Sequence, residues 1–307
     1  MQGFQLSIRP NLQAIRGCAT GFVMLTAITV GWVSQTFAEE SSALDTLSTH
    51  AADSRVRVDH DPFERVLKLI SVEHQSRELV AYSRLTGRVL DYMNAYVELL
   101  KTVPVTTLNP DEQLAYWLNL HNVLVLKLIA ENRNGYKKIN RYRGTPDDPG
   151  DEWLRDIVEV QGVNLSLHTI EQEILFGFWQ DPLVMYGISY GVQGSPGLRG
   201  GAYVGATVHQ QLEARAKKFV NSKKHVKVKR NGLELSSIYE WHKPRLFSND
   251  DEQVLAHLAL YADAALKQDI EANPQIKKYR FSWRSNAFIP RAAPTSLGGG
   301  AGRGAGS

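Results

Sequence analysis

The residues that could carry chemistry gather around one glycine-rich stretch and one run of polar side chains. Gly191–Gly201 contains Gly191, Gly194 and a serine, Ser195, between a hydrophobic run and a helical pattern. A loop of that kind can offer backbone N–H groups to an anion or an oxyanion. A serine there becomes a nucleophile only with a base within hydrogen-bond reach, and His121, His168 and His242 are the available imidazoles. The stretch is not the G-x-S-x-G elbow, and glycines also serve simple connecting turns. Asn119, His121 and Asn122 interrupt an otherwise apolar segment. Buried polar groups need partners, so these side chains either line a pocket or tie neighbouring loops to the helix. Glu171 opens another helix, as a candidate base or ligand or as a favourable charge at the helix start. Ser195, His121 and His242 are thus the catalytic candidates, and Asn119, Asn122, Glu171, Gly191 and Gly194 the binding candidates.

Lys217, Lys218, Lys223, Lys224, Lys227, Lys229 and Arg230 crowd one segment without an acid among them. Lys227 and Lys229, on one face of a strand with His225, suit contact with anionic lipid, polysaccharide or an acidic partner. Lysines also guard edge strands against pairing. No H-x-x-x-H or H-E-x-x-H spacing occurs, so no metal and no cofactor is expected.

Several elements must hold these residues. Asp61-Pro62-Phe63-Glu64 reads as a helix start with Asp61 as cap, and a second helix spans about 87–103. Asn109-Pro110-Asp111-Glu112 is the clearest start signal; the helix it opens is apolar on all sides, hence buried and central, and ends near Asn134-Gly135. Residues 137–149 read as loop. Ile157–Val160 and Val163–Leu167 form a hairpin around Gln161-Gly162, and Ser166 caps the next helix. Leu183–Tyr190 reads as an inner strand and Val204–Val220 as a helix. A hairpin follows over Val226–Leu235 with Asn231-Gly232 as its turn, then one last helix over about 250–270. Helices mixed with strand pairs predict an α+β fold, mostly helical, with the buried central helix packed against a small antiparallel or mixed sheet.

The chain has 307 residues, 43% of them hydrophobic and 22% charged, as expected of a globular protein. Arg9 and Arg16, an apolar run over Gly17–Val33 and Phe37-Ala38 before Glu39-Glu40 have the layout of a secretory signal peptide over residues 1–38. A polar leader over 39–58, a single globular domain over 59–290 and a Gly-rich tail over 291–307, too poor in apolar surface to order itself, complete the organisation. The expected location is exported, periplasmic or secreted. Cys18, the one cysteine, leaves with the signal, which excludes a cysteine nucleophile and thiolate metal sites from the mature chain. Without Arg9 and Arg16 the net charge falls from +3 to +1, and without Arg291 and Arg303 the 39–290 core is −1, so no nucleic-acid partner is expected.

Glu112–Leu128, EQLAYWLNLHNVLVLKL, resembles the signature helix of the domain of unknown function 547 family. The likeness continues through Gly162–Leu175, Asp181–Leu198, Ala202-Tyr203, Leu235–Trp241 and Tyr279–Asn286, and so covers most of 80–287. The family has no established reaction, and its bacterial members are often exported. Its central loop is similar to N-C-G-x-x-S-C-P, where this chain has Tyr190 and Ser195 at the cysteine positions. The histidine that often follows the family's I-E pair is Gln172 here, and an aspartate falls at Leu246. The resemblance therefore implies an exported cell-envelope protein without cysteine chemistry: a non-catalytic binding or accessory domain with a small-molecule, glycan or envelope-protein ligand. The alternative is a serine-dependent hydrolase or transferase using Ser195 with a histidine base.

Overall fold

The computed structural model describes residues 43–74, 77–131 and 149–290. The signal segment with Cys18, the expected helix stop at Asn134-Gly135, nearly all of the 137–149 loop and the 291–307 tail lie outside the described residues. The elements below all belong to the unit Leu44–Ser307.

Helix α1 (Asp61–Ile70) buries Phe63, Val66, Leu67 and Ile70. Helix α2 (Arg88–Lys101) buries Met93, Tyr96, Val97 and Leu100. The two meet through Phe63 stacked on Tyr96, rings 5.3 Å apart. Helix α3 (Pro110–Glu131) is the centre of the fold, with Glu112–Leu126 buried without interruption. Its start is capped as the sequence predicts, the Glu112 amide donating to Asn109 Oδ1 at 2.9 Å. Asp61 behaves differently. It sits inside the first turn of α1; His60 occupies the cap position without a side-chain cap bond, and Asp59 Oδ1 accepts from the Asp61 amide at 2.9 Å instead.

The main neighbours of α3 are helical: α2, a π-helical segment (Thr169–Leu175), a 3-10 turn (Gly205–Thr207) and α6 (Val208–Val220). Short helices α4 (Asp151–Leu154) and α5 (Phe176–Phe178) precede and extend the strand and π-helical elements of this part of the chain. Three small sheets complete the α+β architecture. Strands β1 (Ser71–His74) and β2 (Arg77–Val80) form one hairpin. Strands β3 (Asp156–Val160) and β4 (Val163–Ser166) form the hairpin expected around Gln161-Gly162, both with positive φ. The third sheet is mixed: β5 (Val226–Lys229) and β6 (Gly232–Ser236) are antiparallel, and β7 (Ile276–Arg280) joins β6 in parallel. Its turn is Arg230-Asn231. Gly232 follows with φ +134°, where a Cβ would lie 2.4 Å from the Gln275 carbonyl oxygen. Only glycine lets β7 come that close.

Two other expectations change. Leu183–Tyr190 is not a strand; Pro182–Tyr186 is a 3-10 helix capped by Asp181, whose carboxylate accepts from Leu183 N at 2.8 Å. A short apolar run does not distinguish strand from buried turn, and the Asp-Pro start decided it. The last helix is two helices, α8 (Asp251–Tyr261) and α9 (Ala264–Ala272). Between them Ala262 is extended and Asp263 caps Leu266 N at 2.9 Å. Asn221 clamps the break, accepting from Asp263 N at 2.7 Å and donating to Tyr261 O at 2.8 Å. Helix α7 (Ser237–Leu246) follows β6 directly.

Candidate functional site

Asn119 and Asn122 project from successive turns of α3, and each holds a loop by its backbone. Asn119 donates to Tyr203 O at 2.8 Å and accepts from Tyr203 N at 2.9 Å. Asn122 donates to Gly187 O at 2.9 Å and accepts from Ser189 N at 3.0 Å. Both amides are thereby spent on protein backbone. Gly187 must be small: a Cβ there would lie 2.7 Å from a Leu118 methyl.

His121, on the same helix, meets the first turn of the π-helical segment. Ser166 caps that segment, its Oγ accepting from Thr169 N at 3.0 Å. Ile170, Glu171 and Gln172 are all buried, whereas Glu173 is exposed. His121 Nε2 lies 3.6 Å from Glu171 Oε2, an ion-pair contact longer than a hydrogen bond, with both side chains at most 3% exposed. Glu171 Oε1 accepts from Tyr190 OH at 2.7 Å and from Gln172 Nε2 at 2.8 Å. Among the described residues, neither His121 nitrogen nor Glu171 Oε2 has a hydrogen-bond partner. Burial by itself would push the Glu171 carboxyl up, but adjacent His121, then His242 and the Tyr190 hydroxyl, outweigh it and hold the group below its ordinary value. His242, from α7, is stacked on Phe176 at 4.1 Å between centroids. Burial lowers its imidazole to about 4, with Glu171 opposing and Arg245 assisting. Arg245 donates to the Gln172 carbonyl. Burial, then the Glu171 charge, pushes the Tyr190 phenol well above its usual range. Proton transfer between His121 and Glu171 is the chemistry this cluster could support.

Ser195 stands apart from those imidazoles in its bonding. Its Oγ donates to Val192 O at 3.0 Å, reaches Pro196 O at 3.3 Å and accepts from Tyr190 N at 3.2 Å. The loop amides are committed as well. Gln193 N donates to Arg284 O, Gly194 N to Ser282 O, Ser195 N to Val192 O and Gly191 N to Ser189 Oγ. Gly191 adopts φ +68°, and a Cβ on Gly194 would lie 2.7 Å from Ser282 N. The glycines thus let the loop lie against residues 282–286, and those amides do not point at a vacant anion hole.

The same loop borders a cleft of about 520 Å³, and Ser195, Gln193 and His225 are among the residues that line it. Arg77, Glu78, Arg199, Arg215, Lys218 and Lys224 line it, with Val192 and Phe219 as apolar wall. These cations come from β2, the glycine loop, α6 and the α6–β5 turn, and no periodicity in the chain links them. Lys227 and Lys229 do not line the cleft; Lys227 pairs with Glu234 across the hairpin at 3.6 Å. His225 is buried against Phe219, rings 3.7 Å apart, rather than displayed beside those lysines. Among the described residues no group of three His, Cys, Asp or Glu could hold a metal ion, and no helix is long and apolar enough to cross a membrane.

Residues 105–220 match the model of a family described as protein of unknown function, DUF547. No curated protein and no solved structure matches the chain. The matched span runs from the turn before α3 to the end of α6 and holds Asn119, His121, Asn122, Glu171, Tyr190 and Ser195. Over residues 105–220 the chain is thus similar to the DUF547 family, as its signature helix had indicated.

Proposed function

We propose that this protein is an exported binding or accessory domain of the cell envelope that performs no covalent chemistry. The observation that carries the reading is Tyr190, a buried phenol bonded to Glu171 at the mouth of the imidazole–carboxylate pair. By resemblance that position belongs to a cysteine. A phenol held well above its ordinary pKa by burial is a poor nucleophile at neutral pH. Ser195, at the second such position, spends its hydroxyl on backbone. A nucleophile needs its base within about 3 Å, and neither His121 nor His242 hydrogen-bonds to Ser195. Export rests on the layout of residues 1–38, which ends in Phe37-Ala38 before two glutamates.

Two measurements test the two halves of the reading. Mass spectrometry of the chain recovered from the envelope fraction of a bacterial host is expected to find Glu39 as the first residue; a product retaining residues 1–38 in the cytoplasm would remove the export half. A fluorophosphonate probe is expected to leave the protein unlabelled. Labelling abolished by Ser195→Ala would establish a serine-dependent hydrolase or transferase instead.

A further inference from the structure

We infer that the cleft between the glycine loop, β2 and α6 is a binding site for a phosphate-bearing small molecule. The inference rests on the reading of the chain as a binding domain and deepens it by naming the ligand class.

The charges on the cleft do not cancel. Five cationic side chains, Arg77, Arg199, Arg215, Lys218 and Lys224, face one lining carboxylate, Glu78. Lys218 pairs with Glu78 and Arg199 with Glu73. Arg215 is held in place by the Gly197 and Gly201 carbonyls, with its guanidinium 4.7 Å over the Tyr203 ring. Two carbonyl bonds fix the guanidinium but leave its charge uncompensated. Arg77 and Lys224 make no ion pair among the described residues. Burial, then repulsion from Arg77, lowers the Lys224 ammonium to about 8, against the opposing attraction of Glu78. Like charges pressed together at a concave surface are a standing cost that a bound anion removes.

The surplus matches phosphate better than a single carboxylate. Three cations are left over, and a phosphate monoester brings about 1.5–2 negative charges and three acceptor oxygens. Arginine suits such oxygens through its planar fork. The volume, about 520 Å³, is that of a small-molecule pocket. Val192 and Phe219, at most 5% exposed, supply an apolar wall for the uncharged part of the ligand. The net charge of the 39–290 core gives no hint of this; the field is local.

The test is calorimetric titration of the full chain with inorganic pyrophosphate at low ionic strength. Saturable binding is expected, with Arg77→Gln plus Lys224→Gln weakening it at least about ten-fold, the equivalent of one lost charge-assisted contact. Unchanged thermal melting of that double variant confirms that it folds. Lys227→Glu plus Lys229→Glu is expected to change affinity less than about two-fold, since surface charges off the site act weakly. No binding, binding indifferent to the Arg77 and Lys224 changes, or citrate bound as tightly as pyrophosphate would overturn the inference. Glycerol 3-phosphate and vesicles containing phosphatidylglycerol, compared in the same assay, separate a soluble ligand from a lipid headgroup; with either, the double variant must bind less. Phosphorus NMR of the mixture is expected to show pyrophosphate intact. Release of orthophosphate would leave the binding site standing and remove the non-catalytic reading instead.

Discussion

The His121–Glu171–Tyr190 cluster and the cleft bordered by Phe219 both collect ionisable groups, and they manage them by opposite means. In the first, water is excluded and charge is limited: Glu171 is met by a phenol, an amide and an imidazole, and His242 is held neutral by burial. In the second, five cations and one carboxylate line an open cleft, and the surplus charge faces solvent. A low-dielectric setting makes any change in partner or protonation costly, whereas an open one makes it cheap. Stability should therefore reside in the cluster and ligand binding in the cleft. Substitutions in the cluster should destabilise the protein, and substitutions in the cleft should alter what it holds.

Acid should have the largest effect, through four buried imidazoles, of which His242 belongs to the cluster and His225 lies in the cleft wall. Burial lowers His60, His242 and His257 to about 4 and His225 to about 3. Their ordinary value is near 6.5, so between these limits the unfolded chain binds more protons than the folded one. The stability they contribute is therefore full above pH 6.5 and is lost as pH falls toward 4. Every ten-fold difference in proton affinity between the folded and unfolded chain is worth about 1.4 kcal/mol per group, so a loss of several kcal/mol is expected. Urea midpoints at pH 7.5, 6 and 4.5 measure it, and a flat series would contradict the contrast. The carboxyl of Glu171, held below its ordinary value, extends the loss at still lower pH.

Asn119→Leu comes next. It strips both partners from the buried Tyr203 backbone, at about 1–3 kcal/mol for each stranded group. Tyr190→Phe removes one donor from Glu171 and should cost about 1.5–3 kcal/mol, the range for bonds to charged groups. Denaturant unfolding checks both. A Tyr190→Phe protein as stable as the parent would show that the phenol is not what holds the carboxylate. On the open side the effects move from stability to binding. Pyrophosphate affinity should fall a few-fold as pH rises through about 8, where Lys224 loses its proton. Lys224→Arg should flatten that profile up to about pH 9.5, because a guanidinium stays charged. Lys227→Glu with Lys229→Glu should be the smallest change, costing at most about 1 kcal/mol of stability, because a carboxylate at position 227 would face Glu234 across the hairpin.

What the sequence made legible follows the physics of each element. Helix α3 was visible because Asn109-Pro110-Asp111-Glu112 opens an unbroken apolar run, and such a helix has only one place to go. The β3–β4 hairpin was visible through Gln161-Gly162. Asn119, Asn122 and Glu171 stood out because polar residues in apolar surroundings need partners, but which partners depends on loops that arrive from residues 187–203. The π-helical form of Thr169–Leu175 leaves no mark in composition. Strand β7 was hidden because its burial does not alternate and its pairing with β6 is parallel and distant. The cleft was invisible for a related reason. Arg77 and Lys224 are far apart in the chain, and only the packing of β2 near the α6–β5 turn makes neighbours of them.

The two asparagines of α3 have an effect beyond the bonds they make. By gripping Gly187, Ser189 and Tyr203, they fasten both ends of a long irregular segment to one rigid rod. The middle of that segment is laced to residues 282–286. The wall it presents beside Phe219 is thus already immobilised in the empty protein. A visiting molecule would lose its own freedom of movement on arrival but need not restrain the receptor's, so tight association would require fewer contacts than a slack loop would demand.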